Sequence, residues 1–226
     1  MDIEVASRGF DDRIRWDPAL IRKYDVAGPR YTSYPTALQF AEGFGSREYE
    51  QYLLERPPVI GPLSLYVHIP FCRNICYYCA CNKIVTRDAA VAERYIVALE
   101  KEIALLAHHH DQRRRVTQLH WGGGTPTFLS PSELTRLMHG LARHFSLIDA
   151  PEREYSIEID PRSVDTGTIA LLKGLGFNRI SMGIQDFDPQ VQRAINRIQP
   201  FDMVESLVDA VREHRFKSLS FDLIYG

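Results

Sequence analysis

The 226-residue chain carries a formal net charge of −2 and is 45% apolar, enough for one substantial core and too nearly neutral to draw the whole molecule to nucleic acid or anionic membrane. No apolar run approaches the roughly 20 residues needed to span a bilayer, and the acidic start "MDIEVASRGFDDRIRWD" lacks the apolar centre of a signal peptide. These features predict a cytoplasmic protein with no nucleic-acid or membrane partner. In that reducing compartment clustered cysteines are more often ligands or catalysts than disulfides.

Residues 1–60 read as an irregular N-terminal arm. A short helical piece "DPALIRKY" leads into "AGPRYTSYPTALQF", and the proline-rich "RPPVIGP" closes it. A regular alternation follows over 61–226. The run "LSLYVHI" (63–69) suits a strand buried on both faces, and "DAAVAERYIVALEKEIALLA" (88–107) has helical periodicity. "VTQLHW" predicts a strand and "GGGTPTFL" a loop. Ser130-Pro131-Ser132-Glu133 has the pattern of a capping box with proline at the first helical position, opening "PSELTRLMHGLARHF". The unit then recurs: strand "EYSIEI" (154–159), helix "TGTIALLKGLG", strand "RISMGIQ" (179–185), helices "DPQVQRAINR" and "FDMVESLVDAVREH", and strand "SLSFDLIYG". Strands alternating with helices of this length predict an α/β fold with a parallel sheet, either a partial TIM-like (β/α) barrel or an open, doubly wound sheet. Closing such a barrel takes more strands than are visible, so the expectation is an incomplete copy of a longer protein.

All four cysteines fall in "CRNICYYCAC": Cys72, Cys76, Cys79 and Cys81. The loop follows a strand, and the carboxyl ends of parallel strands are where ligands bind. Structural zinc normally draws on two separated ligand pairs, and no second Cys/His pair is suitably placed; "HHHDQRRR" (108–115) is more simply a solvated helix end. Disulfides this close in sequence would be strained. Thiolates are the preferred ligands of iron–sulfur clusters.

The spacing Cys72-x3-Cys76-x2-Cys79 after a first barrel strand resembles the signature of radical S-adenosylmethionine enzymes. The segments "YVHIPFC", "CNKIVTR", "LHWGGGTPT", "IEIDPR", "FNRISMGIQDF" and "DLIYG", with "GPRYTSYPT" upstream, are similar in combination to the oxygen-independent coproporphyrinogen III oxidases (coproporphyrinogen dehydrogenases). That resemblance covers the chain from about residue 16 onward. It implies that Cys72, Cys76 and Cys79 hold three irons of a [4Fe–4S] cluster while S-adenosylmethionine occupies the fourth. Cys81 would block the open position if it ligated, and is expected to be a non-ligand near a second cofactor molecule. The implied reaction is oxidative decarboxylation of two propionates of coproporphyrinogen III to vinyl groups, by a monomer served by an unidentified electron donor and acceptor. A haem-transfer protein of the same superfamily, or an inactive chain, is the alternative.

The remaining candidates divide between residue chemistry and resemblance. Gly122-Gly123-Gly124 with Thr125 ends a strand where bare backbone can approach a ligand, or simply makes a tight turn; it lacks the Gly-Lys-Ser/Thr of a phosphate loop. In "YSIEID" the polar Ser156, Glu158 and Asp160 alternate with apolar residues and could line the interior, although Glu158 may equally be read as an ordinary edge glutamate. Asp222 interrupts an apolar strand and needs a partner such as Arg197, or a ligand. The resemblance assigns Tyr66, Gly123 and Glu158 to a first S-adenosylmethionine. It assigns Tyr78, Gly124, Thr125, Gln185, Arg197 and Asp222 to a second. The chain has Tyr78 where the family often has Phe, and Ala80 where it often has Gly. Arg30, Tyr31 and Tyr34 of the arm offer a cation and aromatic surface that would suit a propionate-bearing tetrapyrrole, or a packed entry turn.

Overall fold

The computed structural model describes residues 17–26, 36–55, 61–110 and 113–224. It separates into two compact units, Met1–Tyr52 and Leu53–Gly226. Among the described residues no helix is long and apolar enough to cross a membrane. Arg30, Tyr31 and Tyr34 lie outside the described residues.

The first unit holds helix α1 (Pro18–Tyr24) and the start of α2 (Ser46–Glu55). Asp17 caps α1, its carboxylate accepting the amides of Ala19 at 2.9 Å and Leu20 at 3.0 Å, and Pro18 occupies a position whose missing N–H costs nothing. Helix α2 corrects the expectation of an irregular arm. Its sequence "SREYEQYLLE" contains no breaker, and Glu48 accepts the Gly45 amide at 2.9 Å in its first turn; the polar content of the segment masks its spacing.

The second unit is built on the parallel strands β1 (Leu63–Ile69), β4 (Arg115–Gly123), β6 (Glu154–Ile159), β7 (Arg179–Gln185) and β8 (Ser218–Leu223), side by side in that order. The short β5 (Ser146–Leu147) extends along β4, and β2 (Phe71–Cys72) pairs in parallel with β3 (Ile84–Val85) as a separate ribbon inside the cysteine loop. Helices α3 (Ala90–His108), α4 (Pro131–His144), α5 (Thr166–Gly174), α6 (Pro189–Ala194) and α7 (Phe201–Glu213) provide the crossovers. This is the parallel strand–helix alternation of a (β/α) barrel, with β1 and β8 at opposite edges.

The core lies between the sheet and the helices. Trp121 is fully buried and meets Phe177 edge-on at 5.2 Å, an arrangement favoured by the aromatic quadrupoles. Asn178, also buried, ties three segments: its Oδ1 accepts the Tyr155 amide at 3.0 Å, its Nδ2 donates to the Arg153 carbonyl at 2.9 Å, and its own carbonyl accepts the Lys217 amide at 2.7 Å. Outside, Arg136 of α4 bridges Glu93 at 2.8 Å and Glu100 at 2.7 Å on α3. Strand β1 differs from the two-sided burial expected of it. Leu63, Val67 and Ile69 are buried, whereas Ser64 and Tyr66 are exposed, because the second face of the sheet looks onto the open side rather than onto helices.

Helix α4 starts as its sequence requires. The Ser130 hydroxyl accepts the Glu133 amide at 3.3 Å and the Glu133 carboxylate accepts the Ser130 amide at 2.7 Å. Ser130→Ala is expected to lower stability by about 1 kcal/mol, read as a reduced urea midpoint at unchanged slope; an unchanged midpoint would show that the cap contributes nothing.

Candidate active site

The carboxyl ends of the parallel strands open into one cleft, with about 980 Å³ of empty space when its solvent mouth is included. Of the residues predicted from sequence, Cys72, Cys76, Cys79, Tyr78, Gly123, Gly124, Thr125, Glu158, Gln185, Arg197 and Asp222 all line it, and so does Cys81. Tyr66 stands apart from this lining but is connected to it. Its ring stacks on His120 at 5.7 Å and 14°, and His120 Nε2 lies 3.2 Å from Glu158 Oε1.

The cysteine loop is held in place by bonds on both sides. Its two arms pair through β2 and β3, where Ile84 donates to the Pro70 carbonyl at 2.7 Å and Thr86 to the Cys72 carbonyl at 2.9 Å. The Cys79 amide donates to the Cys76 carbonyl at 3.1 Å, a turn that Lys83 supports by donating from Nζ to the Cys79 carbonyl at 2.8 Å. From across the cleft, the Tyr77 amide donates to the Ile195 carbonyl at 3.1 Å and Asn196 Nδ2 to the Ile75 carbonyl at 2.8 Å.

The glycines are demanded by close approach of the chain. Gly123 has φ +116°, and a Cβ there would stand 2.8 Å from the His68 ring; one on Gly124 would stand 2.8 Å from the Pro70 backbone. With side chains removed, the Gly124 amide reaches the Ile69 carbonyl and the Thr125 amide the Phe71 carbonyl, both at 2.9 Å, which presses the end of β4 onto the start of the cysteine loop. Thr125 Oγ1 then lies 3.5 Å from the Cys72 sulfur. Glu158 is directed into this corner, its Oε2 accepting the Gly123 amide at 3.3 Å. Of the polar residues of β6 Glu158 lines the cleft, followed by Asp160 just past the strand end, while Tyr155, Ile157 and Ile159 are buried.

Arg197 has a different partner from the one expected. It is buried and donates from Nη1 to Asp160 Oδ2 at 2.9 Å and from Nη2 to the Gly183 carbonyl at 2.6 Å. Asp222 needs no such cation, because the cleft-side part of β8 is exposed; its carboxylate accepts the Ser181 hydroxyl at 3.4 Å. Asp160 also takes Arg162, whose Nη2 donates to Oδ2 at 2.7 Å and whose Nε donates to Oδ1 at 3.0 Å. Burial alone would raise the Asp160 carboxyl, but the hydrogen bond from Arg162 and the charges of Arg197 and Arg162 outweigh it and hold the group below its ordinary value. Each guanidinium places a donor 3.5 Å from the Cys76 sulfur.

The thiols differ in environment. Cys76 is buried and Cys81 exposed, with Cys72 and Cys79 between. Burial pushes the Cys72 thiol up, against its hydrogen bond with Thr125. Partial burial, with Cys79 beside it, pushes Cys81 up to about 11. Burial likewise raises the Tyr78 phenol, although Arg197 pulls the other way.

This donor set suits a thiolate-held cluster and an anionic ligand. The lining carries four cations (Arg73, Lys83, Arg162 and Arg197) against three carboxylates (Glu158, Asp160 and Asp222), a surplus that thiolates or a carboxylate would complement. The Nε of Arg197 is buried and has no hydrogen-bond partner among the described residues. Among the described residues no three His, Cys, Asp or Glu side chains converge at the distances of a single ion; thiolates that each bind a different iron need no such convergence.

Sequence reasoning did not single out His68, His120 or Arg162, and treated Asp160 only as one of an alternating set. His120 Nδ1 lies 2.7 Å from the Ser156 hydroxyl, and His68 joins the Tyr66 hydroxyl at 2.9 Å to the Asn82 carbonyl at 2.9 Å. The available signal was alternation: His68 follows Tyr66 by two along β1, which puts both on one face. "Asp-Pro-Arg" is also a plain cap and turn, with Asp160 Oδ1 accepting the Arg162 amide at 3.0 Å, and that role hides the other.

Comparison with known proteins places this site in context. The model of the radical SAM superfamily matches residues 66–226. The chain is 52% identical over 215 residues to the oxygen-independent coproporphyrinogen III oxidase of Pseudomonas aeruginosa, covering 95% of this chain and 47% of that one. It is 49% identical over 218 residues to the protein of the same name from Escherichia coli, covering 95% and 46%. A solved structure of a coproporphyrinogen III oxidase from Escherichia coli, described as a radical SAM enzyme, superposes with a TM-score of 0.81 at 48% identity, over 94% of this chain and 46% of that one. The chain thus spans about half the length of the curated relatives it matches. With a superfamily match that takes in the cysteine loop, the end of β1 and the other strands of the parallel sheet, the chain belongs to the radical SAM superfamily.

Proposed function

We propose that this chain carries the cofactor-binding chemistry of an oxygen-independent coproporphyrinogen III oxidase, with an arm over 1–60 and a radical SAM core over 61–226. The reaction converts two propionate side chains of coproporphyrinogen III to vinyl groups, giving protoporphyrinogen IX. The observation that carries this reading is the single cleft in which Cys72, Cys76, Cys79, Glu158 and Arg197 meet, in a fold superposing on that enzyme with a TM-score of 0.81.

Cys72, Cys76 and Cys79 would hold the [4Fe–4S] cluster, and Tyr66, Gly123 and Glu158 one S-adenosylmethionine. Tyr78, Gly124, Thr125, Gln185, Arg197 and Asp222 would hold a second. When bound, the cluster and S-adenosylmethionine would supply the one-electron radical chemistry needed to remove a hydrogen from a propionate β-carbon. The chain's own work is placement. Glu158, accepting from Gly123 and near His120, presents a fixed anion to an ammonium group. Arg197, which lines the cleft, would offer its positive charge to a carboxylate. The pinned cysteine loop holds these groups in register. Loss of carbon dioxide and one further electron completes each vinyl group, the electron passing to an acceptor supplied from outside. Cys81 would be a non-ligand: Cys81→Ser is expected to keep full iron and sulfide content, and a loss of iron on that change would make it a ligand.

Anaerobic reconstitution, then incubation with S-adenosylmethionine, a low-potential reductant and coproporphyrinogen III, tests the whole reading. Vinyl products with 5′-deoxyadenosine support it. Cleavage of S-adenosylmethionine without vinyl product overturns the oxidase assignment, and tight haem binding in its place favours haem transfer. A zinc-only metal content overturns the cluster.

A further inference from the structure

Two guanidiniums, the buried Arg197 and the partly buried Arg162, share one carboxylate beside a sulfur. Arg162 and Arg197 come from different parts of the chain, the turn after β6 and the segment after α6, and both point a donor at Cys76 Sγ from 3.5 Å. Their side chains are 18% and 8% exposed, and that of Asp160 between them is 12% exposed, so water screens the group weakly. Two cations against one carboxylate leave one positive charge in excess, and the nearest sulfur to receive it is that of Cys76. Neither Cys72, which meets Thr125, nor the exposed Cys81 has such a neighbour among the described residues.

We propose that Arg162 and Arg197, clamped by Asp160, form a cationic wall that sets the reduction potential of the cluster Cys76 would help to hold. The inference rests on the cluster assignment above. Reduction adds one electron and so one negative charge to the cluster, and nearby positive charge and hydrogen bonds to a ligating sulfur both favour the more negative state. Arg162 acts as a positioning and tuning residue, since it touches the ligand and not the reacting carbon. The wall predicts opposite signs for two substitutions. Removing a cation lowers the potential; removing the carboxylate that offsets the cations raises it.

The test is a redox titration of anaerobically reconstituted wild type, Arg162→Gln and Asp160→Asn, with dithionite as electron donor and the paramagnetic resonance signal of the reduced cluster as readout. In Arg162→Gln the ratio of reduced to oxidised cluster at a fixed potential is expected to fall about tenfold, equal to a shift of about 59 mV for one electron. In Asp160→Asn the ratio is expected to rise. Unchanged midpoints, or shifts of the same sign in both variants, overturn the proposal. If Arg162→Gln takes up no iron, Asp160→Asn decides by its sign. If neither variant takes up iron while wild type does, the clamp is a scaffold and the tuning role falls. A wild type that takes up no cluster defeats the functional reading, a result distinct from any of these.

Discussion

Cys76→Ser is expected to reduce iron and sulfide content to background and to abolish reductive cleavage of S-adenosylmethionine. A serine hydroxyl is a far poorer iron ligand than a thiolate, and Cys76 occupies the middle of the three-cysteine spacing. The change removes one sulfur and leaves the surrounding structure intact. Arg162 and Arg197 remain tied to Asp160, and the backbone bonds that pin the loop involve Ile75, Tyr77 and Cys79 rather than the Cys76 side chain. With the cluster removed from both, Cys76→Ser should unfold in urea within about 1.5 kcal/mol of wild type, the change being nearly isosteric at a buried position. Metal analysis and visible absorbance measure the first outcome and denaturation the second. Full iron content in Cys76→Ser would remove this residue from the ligand set.

Asp160→Ala is expected to cost about 3 kcal/mol of stability, because it leaves the buried Arg197 and the partly buried Arg162 without their shared carboxylate. It also removes the cap on the turn that follows β6. The same carboxylate carries an acid-side signature in the cluster-free protein. Its folded-state value is depressed, so its contribution is fully present above the unfolded value of about 3.9 and is lost as pH falls through the still lower folded value. Wild type should thus lose stability on that descent more steeply than Asp160→Ala, in which the group is absent. Parallel curves for the two proteins would show that Asp160 makes no net contribution.

The sheet was legible because its signals are local. "LSLYVHI", "EYSIEI" and "RISMGIQ" coincide with β1, β6 and β7, and the capping pattern at Ser130 marks the start of α4. Helix α2 was missed although Tyr49, Tyr52 and Leu53 stand at helical spacing, because it is short and mostly polar. The cleft lining was partly legible because ligands gather at strand carboxyl ends, which left little choice about where the cysteine and glycine loops must meet. Charge pairing was not. Arg197 and Asp222 both sit near the cleft, but nothing in a linear sequence says that Asp160, capping its own turn, also reaches Arg197 across 37 positions. Tyr66 was tied to the site by likeness alone, while its physical link, through His120 to Glu158, depends on register between three strands.

Gly183 has no functional group, yet its bareness fixes where the Arg197 charge can be. A Cβ there would lie 2.9 Å from Nη2 of Arg197 and 3.0 Å from Nε2 of Gln185, and the Gly183 carbonyl is what Nη2 binds. Gln185 is itself in the left-handed region, φ 71°, where the β7–β8 register shifts. One added methyl could therefore move a cation away from Cys76 without altering the protein's charge, its cysteines or any ionisable group. Variation at this position would be invisible to a search for reactive residues and still be felt as electrostatics at the sulfur.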